Sequence, residues 1–268
     1  MNTKEKKTIV REKYGQIALQ NSTESGSNSC CSTSSDCCGV DYTVFSENYD
    51  TLNGYNKDAD FGLGCGIPTE YAGIKPGHQV LDLGSGAGND CFVARAIVGE
   101  TGKVTGLDFT EEMIAKAAFN KQKTGFQNVD FILGDIEQIP LKSDQFDVVI
   151  SNCVLNLVPD KNKAFSEIHR VLKDGGHFCV SDVVLKGYLP EKLRTDAEMY
   201  AGCVSGAMQM DEYLETIRKS GFKNVRVQKQ RSIEIPADNL NQYLNEKEMP
   251  DFQNHKKGIF AITVSAYK

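Results

Sequence analysis

Apolar and polar positions follow two rhythms along this chain, one of short apolar runs and one of helical spacing. Val80-Leu81-Asp82-Leu83 is a short apolar run closed by Gly84-Ser85-Gly86-Ala87-Gly88, which predicts a strand entering a tight turn. A helical pattern follows from Asn89 to Ile97, and Lys103 to Leu107 predicts a second strand closed by Asp108. Thr110 suits a helix N-cap. Glu111 and Glu112 then fall in the first turn, where the helix dipole favours acids, and Met113, Ile114, Ala117 and Ala118 keep helical spacing. Val129 to Leu133 predicts a third strand, leading into Gly134-Asp135, and Phe146 to Ile150 a fourth, apolar enough to be buried on both faces. Asp160 can cap a helix with Ala164, Phe165, Ile168, Val171 and Leu172 on one side, ended by Gly175 and Gly176; His177 to Val184 predicts a fifth strand. Beyond an irregular stretch, Asp211 to Ser220 reads as a helix, and Val225 to Ile235 and Gly258 to Tyr267 as two closing strands.

Strands alternating with helices imply a mostly parallel sheet of seven strands with helices on both faces, an α/β fold. Ahead of it, Lys4 to Leu19 predicts a charged helix carrying Ile9, Val10, Tyr14 and Ile17. Asn21 to Gly39 is rich in Ser, Thr, Asn and Gly, and predicts a flexible leader. That leader nonetheless holds Cys30, Cys31, Cys37 and Cys38.

The chain has 268 residues, 36 acidic against 30 basic, for a net charge of −6. An acidic surface repels polyanions, so nucleic acid and anionic membrane are not expected as partners. No apolar run approaches the roughly 20 residues of a membrane span. Met1 to Lys7 is polar and unlike a secretory signal. The expected compartment is the reducing cytoplasm, where nine cysteines point to metalloid, metal or redox chemistry rather than to structural disulfides.

Glycines between a strand and a helix let a ligand lie against bare backbone, and an acid about 20 residues on can take ribose hydroxyls. Asp108 stands twenty residues after Gly88. The spacing G-x-G-x-G, with Asp82 two residues ahead, resembles motif I of the class I S-adenosylmethionine methyltransferases. The resemblance implies a Rossmann-like fold that binds S-adenosylmethionine through Asp82, Gly84, Ser85, Gly86, Gly88, Asp108, Asp135 and Ile136. The acids suit that ligand, which carries a sulfonium and an ammonium rather than a pyrophosphate.

Ligands of open α/β sheets bind beyond the carboxyl ends of the strands, where Cys153 falls, in Ser151-Asn152-Cys153-Val154-Leu155-Asn156-Leu157. Cys65 sits in Gly-Cys-Gly-Ile-Pro and Cys203 in Ala-Gly-Cys-Val-Ser-Gly-Ala, among small residues that allow close approach. The three are too far apart in sequence for a local zinc knuckle and could meet only through the fold. Cys91 and Cys179 read as buried packing. The three contexts, around a motif I core and behind a Cys-rich leader, closely resemble the arsenite methyltransferase family. The resemblance implies that Cys65, Cys153 and Cys203 bind trivalent arsenic and that one leader cysteine, Cys37 or Cys38, joins a redox step. It divides the chain into a flexible Cys-rich segment (1–40), a methyltransferase core with an N-terminal cap (41–185), and an arsenic-site insertion with closing strands (186–268). Asn152, and with it Asn156, could orient the ligand or the cofactor.

The chemistry is self-consistent. As(III) is soft, three thiolates leave its lone pair free, and a nucleophile without a proton needs no general base. Expected partners are arsenite, methylated arsenicals and a thiol reductant such as glutathione or thioredoxin, with the chain acting as a monomer. The competing expectations are a C- or O-methyltransferase of a small metabolite such as a quinone or sterol, and a non-catalytic thiol protein that sequesters soft metals.

Overall fold

A computed structural model describes residues 2–20, 46–187, 203, 206–233 and 258–268. The leader cysteines Cys30, Cys31, Cys37 and Cys38 lie outside the described residues. Helix α1 (Thr3–Gln20) precedes them. A short α2 (Pro68–Tyr71) leads into β1 (Gln79–Leu83), α3 (Asn89–Val98), β2 (Lys103–Asp108), α4 (Glu111–Thr124), β3 (Val129–Leu133) and β4 (Phe146–Asn152). One 3-10 turn (Leu155–Leu157) separates β4 from α5 (Lys161–Val171), followed by β5 (Leu172–Lys186), β6 (Met208–Gln209), α6 (Met210–Lys219), β7 (Lys223–Ile233) and β8 (Gly258–Tyr267).

Seven strands lie in the order β3-β2-β1-β4-β5-β8-β7, and the two-residue β6 adds to β5. Strands β1 to β5 pair in parallel, while β8 runs antiparallel to both β5 and β7. The sheet alternates its side chains between two layers. Val149 of β4 joins Phe165, Ile168, Phe178, Tyr213 and Ile217 under α5 and α6. Its neighbours Val148 and Ile150 join Cys91, Phe92, Val98 and Cys179 under α3. Each fully buried Phe or Ile here contributes about 2 kcal/mol of burial free energy. Helix α1 packs against α4 with few apolar anchors; Val10, Gly15 and Ala18 are its buried positions.

One local expectation needs correction. α5 does not run to Gly175 and Gly176: Leu172 already pairs with Phe146, so the sheet captures the chain at the helix end. Thr110 does take the N-cap position of α4, but its hydroxyl makes no capping bond; its N–H donates to the Asp108 carboxylate at 2.9 Å. Asp160 does cap α5, accepting the Lys163 N–H at 3.0 Å.

The strand order places the site. The chain builds outward from β1 to β3 and then returns to the other side of β1 with β4. The crevice between those two strands is the switch point where such sheets bind ligands. Leu83 pairs with Ser151 and Asn152 with Ser181, so the glycine loop, the end of β4 and the Ser181 position of β5 lie side by side.

Candidate active site

The turn after β1 is left-handed at Gly84, Gly86 and Gly88, with φ of 71°, 51° and 100°. Gly84 is required sterically as well, since a Cβ there would lie 2.3 Å from Cγ2 of Val154. This loop lines an open pocket together with Ser85, Asp108, Asp135, Ile136 and Asn152, so the residues expected to hold a cofactor share one cavity, apart from Gly88, which is not among its lining residues. The same cavity is walled by residues that the sequence did not mark as part of a site: Tyr49, Asp60, Phe61, Asp90 and Met113, and Lys7, Val10 and Tyr14 from α1.

Asp60, Asp82, Asp90, Asp108 and Asp135 make the cavity strongly acidic. Burial, with Asp90 and Asp108 nearby, pushes the Asp82 carboxyl well above the usual carboxylate range, and the Cys91 thiol donates to it at 3.2 Å. Cys91 is therefore buried as expected but also touches the motif acid. Asp90 is pushed up to about 6 by removal from water. Asp108 is raised by burial and restrained by its backbone donors, among them Gly86 N–H at 3.0 Å. The Ser85 hydroxyl lines the cavity, buried, with no hydrogen-bond partner among the described residues, while the Thr110 side chain lies against the Asp108 carboxylate. An orphaned hydroxyl, bare glycine backbone and several carboxylates fit a ligand with ribose-type hydroxyls and two positive charges, as S-adenosylmethionine has. At the far end Lys7 pairs with Asp135 at 2.5 Å and with Glu137.

The three cysteines meet. Cys65, Cys153 and Cys203 are each at most 4 % exposed, and the Cys153 side chain hydrogen-bonds both Cys65 and Cys203. Of the three, Cys153 lines the cofactor cavity. Cys153 and Cys203 are left-handed, with φ of 59° and 70°. That conformation costs a non-glycine residue about 1 kcal/mol or more and clusters at functional sites. The Cys203 thiol also donates to the Cys153 carbonyl at 3.1 Å, and Tyr14 of α1 hydrogen-bonds the Cys203 side chain. Burial is the main cause that raises the Cys65 thiol. Cys153 is eased down by the Cys203 bond yet held well above its usual value by Cys65 and burial. Cys203 is raised by its bond to Cys153 and by burial. Burial and mutual contact bias all three thiols toward the neutral form. Among the described residues no group of three or more His, Cys, Asp or Glu side chains is arranged to hold a metal ion. Cys179 is buried packing, its thiol raised to about 12 by burial alone.

Two polar side chains hold this arrangement. Asn152 Oδ1 accepts the Cys65 N–H at 3.0 Å, and its Nδ2 faces Gly66 O and the Tyr49 hydroxyl at 2.8 Å and Asp90 Oδ2 at 3.1 Å. Asn156, fully buried, donates to Cys203 O at 3.1 Å. Behind the thiols, Asp182 is pushed up to about 7 by burial, with the Tyr213 hydroxyl donating to it at 3.0 Å. Ser181-Asp182 is a buried polar pair inside an otherwise apolar stretch of β5, a signal that could have marked this position.

A family model described as a methyltransferase domain matches residues 74–221. The arsenite methyltransferase of Aquipseudomonas alcaligenes is 34% identical over 88% of this chain and 68% of its own length. The chain belongs to the arsenite methyltransferase family. The Halobacterium salinarum member is 39% identical over 87% of this chain, which spans 62% of that relative's length. The crystal structure of an arsenic(III) S-adenosylmethionine methyltransferase from Chlamydomonas reinhardtii superposes with a TM-score of 0.64 at 36% identity, covering 76% of this chain and 67% of that one. The fold is that of the class I methyltransferases, as expected. No described helix is long and apolar enough to cross a membrane.

Proposed function

We propose that this chain methylates trivalent arsenic, with S-adenosylmethionine in the acidic cavity and arsenic on Cys65, Cys153 and Cys203. One observation carries the reading: three buried thiols from three distant segments converge at Cys153, which also walls the cavity. Neutral thiols suit this substrate. Arsenous acid exchanges three hydroxyls for three thiols; each thiol proton leaves with a hydroxyl as water, and the product is an uncharged As–S₃ centre. A low-dielectric site penalises charge and tolerates that product.

Bound in the cavity, S-adenosylmethionine supplies a methyl group on a sulfonium. Asp82 and Asp90 offset its positive charges, and Ser85 and Asp108 offer partners to its hydroxyls. Cys153 holds arsenic at the shared wall, with its lone pair toward the methyl group. No base is needed, so the protein's contribution is positioning and exclusion of water. Transfer raises arsenic to the pentavalent state and gives a cationic methylarsenic centre on three sulfurs. The thiol of Cys37 or Cys38 then attacks one of these sulfurs. A disulfide forms, a proton leaves, and the As–S bonding pair returns arsenic to the trivalent state on the two remaining thiolates. A glutathione- or thioredoxin-type thiol reopens the disulfide by exchange. This chemistry belongs to a reducing compartment and to arsenic detoxification.

The test is arsenic speciation after incubation with arsenite, S-adenosylmethionine and thiol. Methylated arsenic is expected, and its formation should fall at least a hundredfold in Cys65→Ser, Cys153→Ser or Cys203→Ser. Methylation that survives all three substitutions would overturn the proposal.

A further inference from the structure

We propose that Asn152 is a positioning residue that couples the two halves of the site, so that a cation in the cofactor cavity tightens the hold on trivalent arsenic, and the reverse. The inference rests on the function proposed above. Its basis is the way one amide is divided. Asn152 Oδ1 takes the Cys65 N–H at 3.0 Å, while Nδ2 has two hydrogens to share among Gly66 O, the Tyr49 oxygen and Asp90 Oδ2. The Tyr49 hydroxyl has one proton to divide between Gly66 O at 3.0 Å and Asp90 Oδ1 at 2.9 Å. One amide thus bridges the Cys65 loop and the cavity acid Asp90.

The loop has little room to move on its own. A Cβ at Gly64 would lie 2.6 Å from Asn152 Nδ2, and one at Gly66 would lie 2.6 Å from Ser181 Oγ. Gly-Cys-Gly is pressed between Asn152 and Ser181 of β5, so the Cys65 position follows the Asn152 amide. Asp90, raised to about 6 without a cation, is a weaker acceptor when protonated. A positive ligand beside it holds it ionised, and hydrogen bonds to a carboxylate are stronger than those to a neutral acid. The bond from one Nδ2 hydrogen to Asp90 then strengthens and locks the planar amide in place, with Oδ1 on the Cys65 N–H and the other Nδ2 hydrogen free for Gly66 O. Coupling of this kind is reciprocal and worth about fivefold or more in affinity.

The test measures arsenite binding by equilibrium dialysis with arsenic counting. It uses the whole chain with Cys30→Ser, Cys31→Ser, Cys37→Ser and Cys38→Ser, so that only buried thiols report. Dissociation constants are compared with and without a saturating, non-transferable S-adenosylmethionine analogue that carries an amine in place of the sulfonium. At about pH 5, where an acid of pKa about 6 is mostly protonated, the analogue should tighten arsenite about fivefold, and arsenite should tighten the analogue by the same factor; by pH 7.5, where Asp90 is already ionised, the factor should fall toward one. In Asn152→Ala the factor at about pH 5 should fall to near one. Asp90→Asn, which keeps the shape but not the charge, should lower it similarly, a result that does not depend on Asn152→Ala folding well. A factor near one in the parent chain at about pH 5, or an unchanged factor in both variants, would overturn the coupling. Arsenite binding that survives Cys153→Ser would instead overturn the reading beneath it.

Discussion

Lys7 offers a test of how the cavity is closed. Its ammonium pairs with Asp135 and Glu137 across 128 and 130 residues of sequence, and its side chain is 26 % exposed. Glu137 is the more consequential partner. Its side chain is 8 % exposed, and its other oxygen accepts the Asp160 N–H at 2.8 Å, so it ties α1 to the start of α5. Lys7→Met keeps the apolar stem and leaves Glu137 Oε2 short of its donor. Leaving a buried acceptor unmet costs about 1–3 kcal/mol, and the half-exposed Asp135 adds little. α1 has few buried apolar positions to compensate, so its docking should weaken by about 1.5 kcal/mol. Every 1.4 kcal/mol is tenfold in an equilibrium constant. Amide hydrogen exchange from Val10 to Ala18 should therefore accelerate about tenfold, while exchange in β1 and β4 stays unchanged. S-adenosylmethionine should also dissociate faster, because Lys7, Val10 and Tyr14 wall its cavity. Unchanged exchange in α1 would refute this account of what holds the helix down.

Gly84→Ala should lower stability by roughly 2 kcal/mol or more, from the left-handed backbone and the clash with Val154, and should abolish cofactor binding; thermal unfolding and calorimetry read the two effects. Asp182 and Asp90, raised to about 7 and about 6, keep their protons in the folded state where the unfolded chain has released them, so they lower stability as pH rises from about 4 to about 7. Asp182→Asn should flatten that decline by a few kcal/mol between pH 5 and 7 in urea unfolding, and an unaltered slope would show that Asp182 is not the group responsible.

Much of the site was legible because its signals are local. The glycine turn, the acid ending β2 and the small residues around each cysteine are set by backbone sterics and nearest neighbours, and the structure brings them to one crevice. The parallel sheet followed for the same reason. What stayed hidden depends on pairs distant in sequence. Lys7 meets Asp135 because α1 folds back over α4, yet α1 has no strong apolar face to announce it. Asn152 reaches Cys65 across 87 residues, and only the β1–β4 crossover explains that meeting. Thr110 takes the N-cap place its type and position announced, but its bond to Asp108, two residues back, could be seen only in the folded turn.

The central claim is that three thiols share one arsenic atom. Arsenic X-ray absorption tests it most directly, on arsenite-loaded chain carrying Cys30→Ser, Cys31→Ser, Cys37→Ser and Cys38→Ser. The account predicts three sulfur neighbours and no oxygen, falling to two sulfurs and one oxygen in Cys203→Ser. An arsenic atom with oxygen neighbours in the parent chain, or a sulfur count that does not change on removing Cys203, would contradict it.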